Sequence, residues 1–274
     1  TRTKEPEKWN YCTCSWFFIL LLALQVLLWG SVALAIYWVM GYRGGFGWNE
    51  KKRKLNIHPV LMIGGFVFFM GQSMLMYRTC RCCRHIYTKL FHTVVHLVAM
   101  PTIIIGVVVA FDYHDSRGSE RSSSGSEFYE TIRGRFPIPH LYSLHSWLGV
   151  ATLGLFAIQF IVGFFSFLVL LCCDSKTASF RSKLQPIHTH FGLATFLLAI
   201  GTCVTGLTQK VIEDLNERGA NGVITGPKYQ DLPPEGLVVN VLAVVLVAAG
   251  LLMAFIIRYA PFRGRRSDLV GERL

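Results

Sequence analysis

Six long apolar segments dominate the sequence. They lie at about residues 16–37, 57–77, 90–111, 145–171, 188–207 and 237–259 and contain almost no charged side chains. A transmembrane helix needs about 20 predominantly apolar residues, so each segment is long enough to cross a bilayer. We therefore expect an all-α membrane protein with six transmembrane helices, in which residues 1–274 form a single domain. The first segment exceeds the apolar length of a signal peptide and no small-residue cleavage site follows it, so it is interpreted as a true span.

Two polar stretches separate the later segments, and both are predicted to be loops. The first, residues 112–139, is rich in Ser, Gly and charge near its middle, and the second, residues 209–234, ends at Pro233 and Pro234. Such composition is typical of flexible connections between helices.

Composition and charge agree with a membrane protein. Hydrophobic residues make up 52% of the chain and charged residues 16%, with a formal net charge of +11. The basic residues flank the apolar segments and do not form one soluble patch, which argues against nucleic acid as a partner. The lipid bilayer is the expected environment.

The distribution of basic residues predicts the orientation. Six spans place both termini and the second and fourth connections on one face, and this face carries 15 of the 27 Lys and Arg residues. Because Lys and Arg are enriched on the cytosolic side, we expect both termini to be cytosolic. The plasma membrane and the secretory, endosomal and lysosomal membranes all fit this orientation.

Four histidines, His58, His92, His145 and His188, occur at or near the starts of different apolar segments. Helices two and four run inward, so His58 and His145 should lie near the outer face, whereas His92 and His188 should lie near the inner face. At a rise of about 1.5 Å per residue, the two pairs should be roughly 20 Å apart. Topology and spacing alone predict this pairing.

Two neutral imidazoles at equal depth on facing helices are suitable axial ligands for a haem iron, whereas zinc needs more ligands than the apolar segments offer. A single histidine in a membrane span is as readily an interhelical hydrogen-bond partner as a metal ligand. The matching of four histidines in two pairs favours ligation. His96 lies one turn from His92 and is either a neighbouring group or an alternative ligand.

Several short motifs carry a resemblance to a known family. They occur in order along the chain at residues 42–45, 56–62, 142–147, 186–188, 206–210 and 233–236. Together they resemble the cytochrome b561 family of ascorbate-dependent transmembrane electron carriers, over roughly residues 16–259.

This resemblance implies a central four-helix bundle that holds two b-type haems in each chain. It also suggests a homodimer, because family members are often dimers. His58 and His145 would bind the non-cytoplasmic haem, and His92 and His188 the cytoplasmic haem. Ascorbate would donate electrons on the cytosolic side. The acceptor on the other side would be the monodehydroascorbate radical or a ferric or cupric species.

Ascorbate is an anion at neutral pH, so its site should be basic and close to the inner pair. Lys89 lies one turn before His92, and Arg181 and Lys183 precede His188. Juxtamembrane cations also orient helices and bind lipid headgroups, which is the alternative for each of them.

Two further histidines are candidate substrate contacts. Where many family members carry a second lysine, about one turn before Lys89, this chain has His85, which could accept the proton released by ascorbate. On the outer side, the resemblance suggests that His114 contacts a substrate near the outer haem. The alternative for His114 is a solvated loop residue.

Two other functions compete with electron transfer. The first is a proton-coupled transporter or channel that uses the four histidines as a relay, and the second is a receptor-like interaction protein without chemistry. Relays usually include intramembrane Asp or Glu, and the six apolar segments contain neither. The sequence therefore favours the oxidoreductase.

Overall fold

The computed structural model describes residues 11–80, 84–123, 141–170, 174–216 and 227–259. Within them, six helices are long and apolar enough to cross a membrane, which confirms the predicted six-span, all-α fold. The helices are α1, Tyr11–Tyr42; α2, composed of Lys51–Leu55, Ile57–Met62, Ile63–Phe69 and Met70–Thr79; α3, His85–Ser123; α4, Leu144–Phe167; α5, Asp174–Leu215; and α6, Pro234–Arg258. A 3-10 turn, Tyr229–Asp231, precedes α6.

Several helix ends differ from the prediction. Helix α5 begins at Asp174, far before the predicted start at residue 188, and passes through Pro186. Helices α3 and α5 also continue to Ser123 and Leu215, into the predicted loops, whereas α4 ends at Phe167 and not at residue 171. Hydropathy detects only the apolar part of a helix, so polar turns that extend it were missed. Residues 124–139 and 217–226 of the two predicted loops lie outside the described residues.

The four middle helices form the centre of the bundle. Helix α2 packs on α3 and α4 packs on α5, while α5 also contacts α2. Helix α1 packs against α2 and α6, and α6 also contacts α5. Large apolar side chains on the outside, such as Val26, Ile104 and Leu251, remain exposed, as expected for a surface that faces lipid.

Helix α2 contains a π-helical segment, Ile63–Phe69. A π segment inserts an extra residue into the helical turn and changes the direction of every side chain that follows, and such segments often occur near functional sites. Ser73 follows it and faces His92 of α3. Sequence periodicity did not predict this segment.

An ion-pair network joins the end of α1 to α5 and α6 at the end of the bundle opposite the start of α1, which is called the outer end after the predicted orientation. The Arg43 guanidinium pairs with the carboxylates of Asp214 and Glu235. Lys210 Nζ lies 2.8 Å from Asp214 Oδ1, and Trp38 Nε1 donates to Glu235 Oε1 at 2.9 Å. Two short motifs of the sequence, around Arg43 and around Glu235, therefore meet in space.

The turn after α1 is held by Asn56. Its Nδ2 donates to the carbonyl oxygens of Arg43 at 2.9 Å and Gly45 at 2.8 Å. Gly44 and Gly45 have φ values of +72° and +76°, a conformation that side chains with a Cβ rarely adopt. The glycines thus allow the chain to fold back and place Arg43 in the network.

Replacing Arg43 with Ala is expected to lower the free energy of unfolding by about 3 kcal/mol, because two partly buried carboxylates lose their shared partner. Thermal unfolding of the purified protein in detergent measures this change. Arg53→Ala is the matched control, since Arg53 forms an exposed pair with Glu50 and should cost at most about 1 kcal/mol. Equal midpoints for the two variants would contradict the role of the network.

Candidate functional site

The outer histidine pair lies between α2 and α4. The ring centroids of His58 and His145 are 6.0 Å apart, with an interplanar angle of 87°. His58 Nδ1 donates to the Gly106 carbonyl oxygen of α3 at 2.9 Å, and His145 Nδ1 donates to the Thr202 carbonyl oxygen of α5 at 2.9 Å. Because a carbonyl only accepts, both Nδ1 atoms carry the proton, and each Nε2 keeps its lone pair for another ligand.

The inner pair lies between α3 and α5. The ring centroids of His92 and His188 are 6.4 Å apart, with an interplanar angle of 71°. His92 Nδ1 lies 2.7 Å from Ser73 Oγ and 3.1 Å from the Ser73 carbonyl oxygen. The His188 ring packs against Phe167, and its buried Nδ1 has no hydrogen-bond partner among the described residues.

The structure therefore brings together the two pairs predicted from depth. On α2, His58 belongs to the outer pair and Ser73 contacts His92 of the inner pair. At about 1.5 Å rise per residue, the two levels are roughly 20 Å apart along the helix. His188, however, lies well inside α5 and not at its start, where it contacts His92 of α3 and Phe167 of α4.

Both pairs fit the axial ligation of one metal atom. With metal–nitrogen bonds of about 2 Å on each side, and a ring centroid about 1 Å beyond each nitrogen, two ligating imidazoles have centroids about 6 Å apart. The observed separations, 6.0 and 6.4 Å, agree. In the described part of the chain, no cluster of three or more His, Cys, Asp or Glu residues is positioned to hold a metal. Two-ligand haem iron therefore suits these residues better than zinc does.

Glycines give both pairs the space they occupy. A Cβ on Gly206 of α5 would lie 2.5 Å from His145 Cε1, and a Cβ on Gly163 of α4 would lie 2.8 Å from His188 Cε1. Real Cβ atoms do not approach other atoms so closely. Each glycine thus lets a helix backbone approach the imidazole on the neighbouring helix.

His96 contacts the inner pair from within the bundle. Its ring centroid is 4.6 Å from that of His92 and 5.7 Å from that of Phe156, and Phe156 is 5.4 Å from Phe66. Phe66 in turn lines the outer cavity. Aromatic contacts thus connect the inner histidines to the outer site, which the sequence did not predict.

The predicted cations near the inner pair are only partly assembled. Lys89 on α3 and Arg181 on α5 are both half-buried, and their charges interact across the two helices. Lys183 is exposed. His85 begins α3, but its side chain lies outside the described residues.

On the outer side, a cavity of about 230 Å³ contains both outer histidines. Its walls come from α1, α2, α3, α4 and α5, and the predicted His114 lines it. Polar residues at its rim include Tyr142, Gln209 and Glu213. His114 therefore lies in the same cavity as His58 and His145, on a helix and not in a loop.

Sequence reasoning missed the residues that orient the histidines and the polar rim. Ser73 is a polar residue within an apolar segment of the sequence, which was a usable signal for a hydrogen-bond partner. The structure buries it fully. Thr202 and Gly106 act through backbone carbonyls, which leave no trace in residue type. Glu213 lies in a stretch that was predicted to be a loop.

Known proteins resemble this chain along most of its length. A family model described as "Eukaryotic cytochrome b561" matches residues 57–214. The transmembrane ascorbate-dependent reductase CYB561 of Sus scrofa is 35% identical over 262 residues, which cover 96% of this chain and 87% of that protein. The lysosomal membrane ascorbate-dependent ferrireductase CYB561A3 of Homo sapiens is 33% identical over 257 residues, 91% of this chain and 94% of that protein.

A third relative is the plasma membrane ascorbate-dependent reductase CYBRD1 of Rattus norvegicus, 34% identical over 230 residues that cover 83% of this chain and 69% of that protein. The residues matched by the family model include all four paired histidines and most of the outer cavity. This chain therefore belongs to the eukaryotic cytochrome b561 family.

Proposed function

We propose that this chain is a transmembrane ascorbate-dependent oxidoreductase, which takes electrons from cytosolic ascorbate and passes them to an acceptor on the opposite side. The observation that carries the proposal is the pair of facing imidazoles near each end of the bundle, with ring centroids 6.0 and 6.4 Å apart. The names of the three relatives, all ascorbate-dependent reductases, support it.

The family implies b-type haem, and we infer two haems per chain, one for each histidine pair. His58 and His145 would hold the outer haem, and His92 and His188 the inner haem. Bound there, haem supplies one-electron oxidation and reduction. The residues of the chain fix the ligands: the carbonyls of Gly106 and Thr202 and the hydroxyl of Ser73 orient three of the four rings.

The substrates would bind at the two ends. Lys89 and Arg181 place two positive charges near the inner pair, where they would bind the ascorbate anion, with Lys183 and His85 as further candidates. On the outer side, His114 in the cavity would contact the acceptor, which we infer to be monodehydroascorbate or a ferric or cupric species.

This assignment places both termini in the cytosol, because the inner pair lies on their side of the bundle. We infer that the chain lies in the plasma membrane or in a membrane of the secretory, endosomal or lysosomal system, and we infer a homodimer from the family resemblance. The whole chain, residues 1–274, is taken as a single functional domain.

The test is electron transfer across a sealed membrane. Proteoliposomes loaded with ascorbate should reduce external ferricyanide in proportion to the protein incorporated, and ascorbate should reduce the visible haem spectrum. Vesicles made without the protein are the control. Proton flux by protein that holds no haem would instead support the histidine relay and refute the oxidoreductase.

The glycines beside the histidines provide a second test. Gly206→Ala should displace His145, and Gly163→Ala should displace His188, so each variant should lose most of one haem and keep the other. Overpacking of this kind costs about 1–3 kcal/mol, or about 5- to 150-fold in haem affinity. Haem per chain, measured by visible spectroscopy after purification, gives the result.

Gly201→Ala on the same helix as Gly206 is the control, because its Cβ would meet nothing within 4 Å. This variant should keep the wild-type haem content. If all three alanine variants retain the same haem as the wild type, the close approach of backbone and imidazole has no part in haem binding.

A further inference from the structure

Glu213 is a carboxylate at the rim of the outer cavity with neutral hydrogen-bond partners. Its Oε1 accepts from Tyr142 Oη and from Gln209 Nε2, both at 2.9 Å. Gln209 Nε2 also donates to Tyr142 Oη at 2.6 Å. These two partners fix the carboxylate in the cavity wall without neutralising its charge, and no ion pair joins Glu213 to a Lys or Arg of the described residues.

The cations that the structure describes near Glu213 already have carboxylate partners. Lys210 lines the same cavity, but it pairs with Asp214, which also pairs with Arg43, and Arg43 pairs with Glu235. Two cations and two carboxylates alternate in this network, so it has no net charge.

Elsewhere at the outer ends of α2 and α3, Lys54 Nζ lies 2.7 Å from Asp112 Oδ2. This cation also has a carboxylate partner. Among the described residues that line the cavity, Glu213 is thus the one charged side chain without an ion-pair partner.

We propose that Glu213 makes the outer cavity selective for positively charged electron acceptors, namely ferric or cupric ions and their cationic complexes, over anionic acceptors such as the monodehydroascorbate radical. This inference rests on the proposed function, in that the outer cavity must be where the acceptor docks. Attraction by one carboxylate raises the local concentration of a cation and lowers that of an anion.

The reaction at this cavity is a one-electron transfer. The reduced protein loses one electron and the acceptor gains it, so Fe³⁺ becomes Fe²⁺ or Cu²⁺ becomes Cu⁺, with no bond formed or broken and no proton moved. The product carries one positive charge fewer than the substrate. Glu213 therefore attracts the substrate more strongly than the product, which favours release after each transfer.

The expected size of the effect follows from Coulomb's law. Consider a trivalent ion about 8 Å from the carboxylate in a medium close to water. Removing the carboxylate charge changes its rate of encounter with the cavity about ten-fold at low ionic strength. At about 0.15 M salt, screening reduces this to about three-fold. A trivalent anion should show the opposite change.

Glu213→Gln is the informative variant, because its amide oxygen can still accept from Tyr142 and Gln209 while the charge is lost. The purified holoprotein is reduced with dithionite, separated from excess reductant and mixed in a stopped-flow instrument with hexaammineruthenium(III) or with ferricyanide. Re-oxidation of the visible haem spectrum gives the rate. At low salt, we expect the rate with the ruthenium cation to fall about ten-fold and the rate with ferricyanide to rise by a similar factor.

Asp231→Asn is the control. Asp231 is exposed, precedes α6 on the same side of the bundle and does not line the cavity. Its variant changes the net charge by the same amount, and both rates should stay within about two-fold of the wild type. Glu213→Asp keeps the charge and should keep the preference for the cation.

Equal shifts of both rates in one direction, or no shift with either acceptor, would overturn the proposal. If Glu213→Gln does not fold, Glu213→Ala takes its place, and it must slow the reaction with the cation and speed the reaction with the anion. Chemical reduction also separates the two hypotheses. Failure of ascorbate to reduce the wild type would refute the proposed function and leave the charge selectivity measurable.

Discussion

Replacing His145 with Ala is expected to remove the outer haem and leave the inner haem in place, and replacing His92 with Ala should do the reverse. Each variant should bind one haem per chain, whereas the wild type is expected to bind two. The reason is that each proposed haem would be held by two histidines on different helices, so one substitution would leave a single ligand. Haem extraction and visible spectra of the purified variants measure the change.

His190→Ala is the matched control. His190 is exposed on α5, and its Nδ1 hydrogen-bonds to the Pro186 carbonyl oxygen at 2.6 Å, so this variant should keep both haems. Loss of both haems from a folded His145→Ala protein would contradict the independence of the two sites.

His96 gives the His92 variant a second possible outcome. Its ring centroid lies 4.6 Å from that of His92, and its buried Nδ1 has no hydrogen-bond partner among the described residues. If His92→Ala retains two haems with an altered spectrum and the double variant with His96→Ala retains one, His96 is a replacement ligand. If the single variant already binds one haem, His96 is a packing neighbour.

The number of helices could be predicted from the sequence, because a bilayer requires long apolar segments whatever the rest of the chain does. The ends could not be predicted. Helix α5 begins at Asp174 and includes Lys176, Arg181 and Pro186. The charged residues lower the hydropathy of this stretch, and proline usually marks the end of a helix. They continue the helix because it extends beyond the membrane, where backbone hydrogen bonding within the helix still favours the α conformation.

The pairing of the histidines could also be predicted, because strict alternation of helix direction fixes the depth of each residue along the chain. The rotation of each helix could not. Ser73 reaches His92 only after the π-helical segment of α2 has changed the direction of the side chains. Glu213 belongs to the last turns of α5 and acquires its place in the cavity wall from tertiary packing.

Lys89 and Arg181 present a different case, because they were separate candidates in the sequence and the fold brings them together. The two side chains come from α3 and α5, the helices that also carry His92 and His188, and their positive charges interact. Two like charges held near each other in a partly buried site repel, so an anion bound beside both relieves the repulsion. Ascorbate at neutral pH has the required charge.

Replacing Lys89 or Arg181 with Ala is therefore expected to raise the KM for ascorbate by about 10- to 100-fold, since a hydrogen bond to a charged group contributes about 1.5–3 kcal/mol. Haem content should not change. Initial rates of haem reduction at increasing ascorbate concentration measure the effect. A neutral hydroquinone donor should reduce the wild type and both variants at similar rates, and Lys183→Ala, which alters an exposed cation on the same helix as Arg181, should leave KM within about two-fold. An equal loss of rate with both donors would assign the two cations to the structure of the inner site and not to binding of the ascorbate anion.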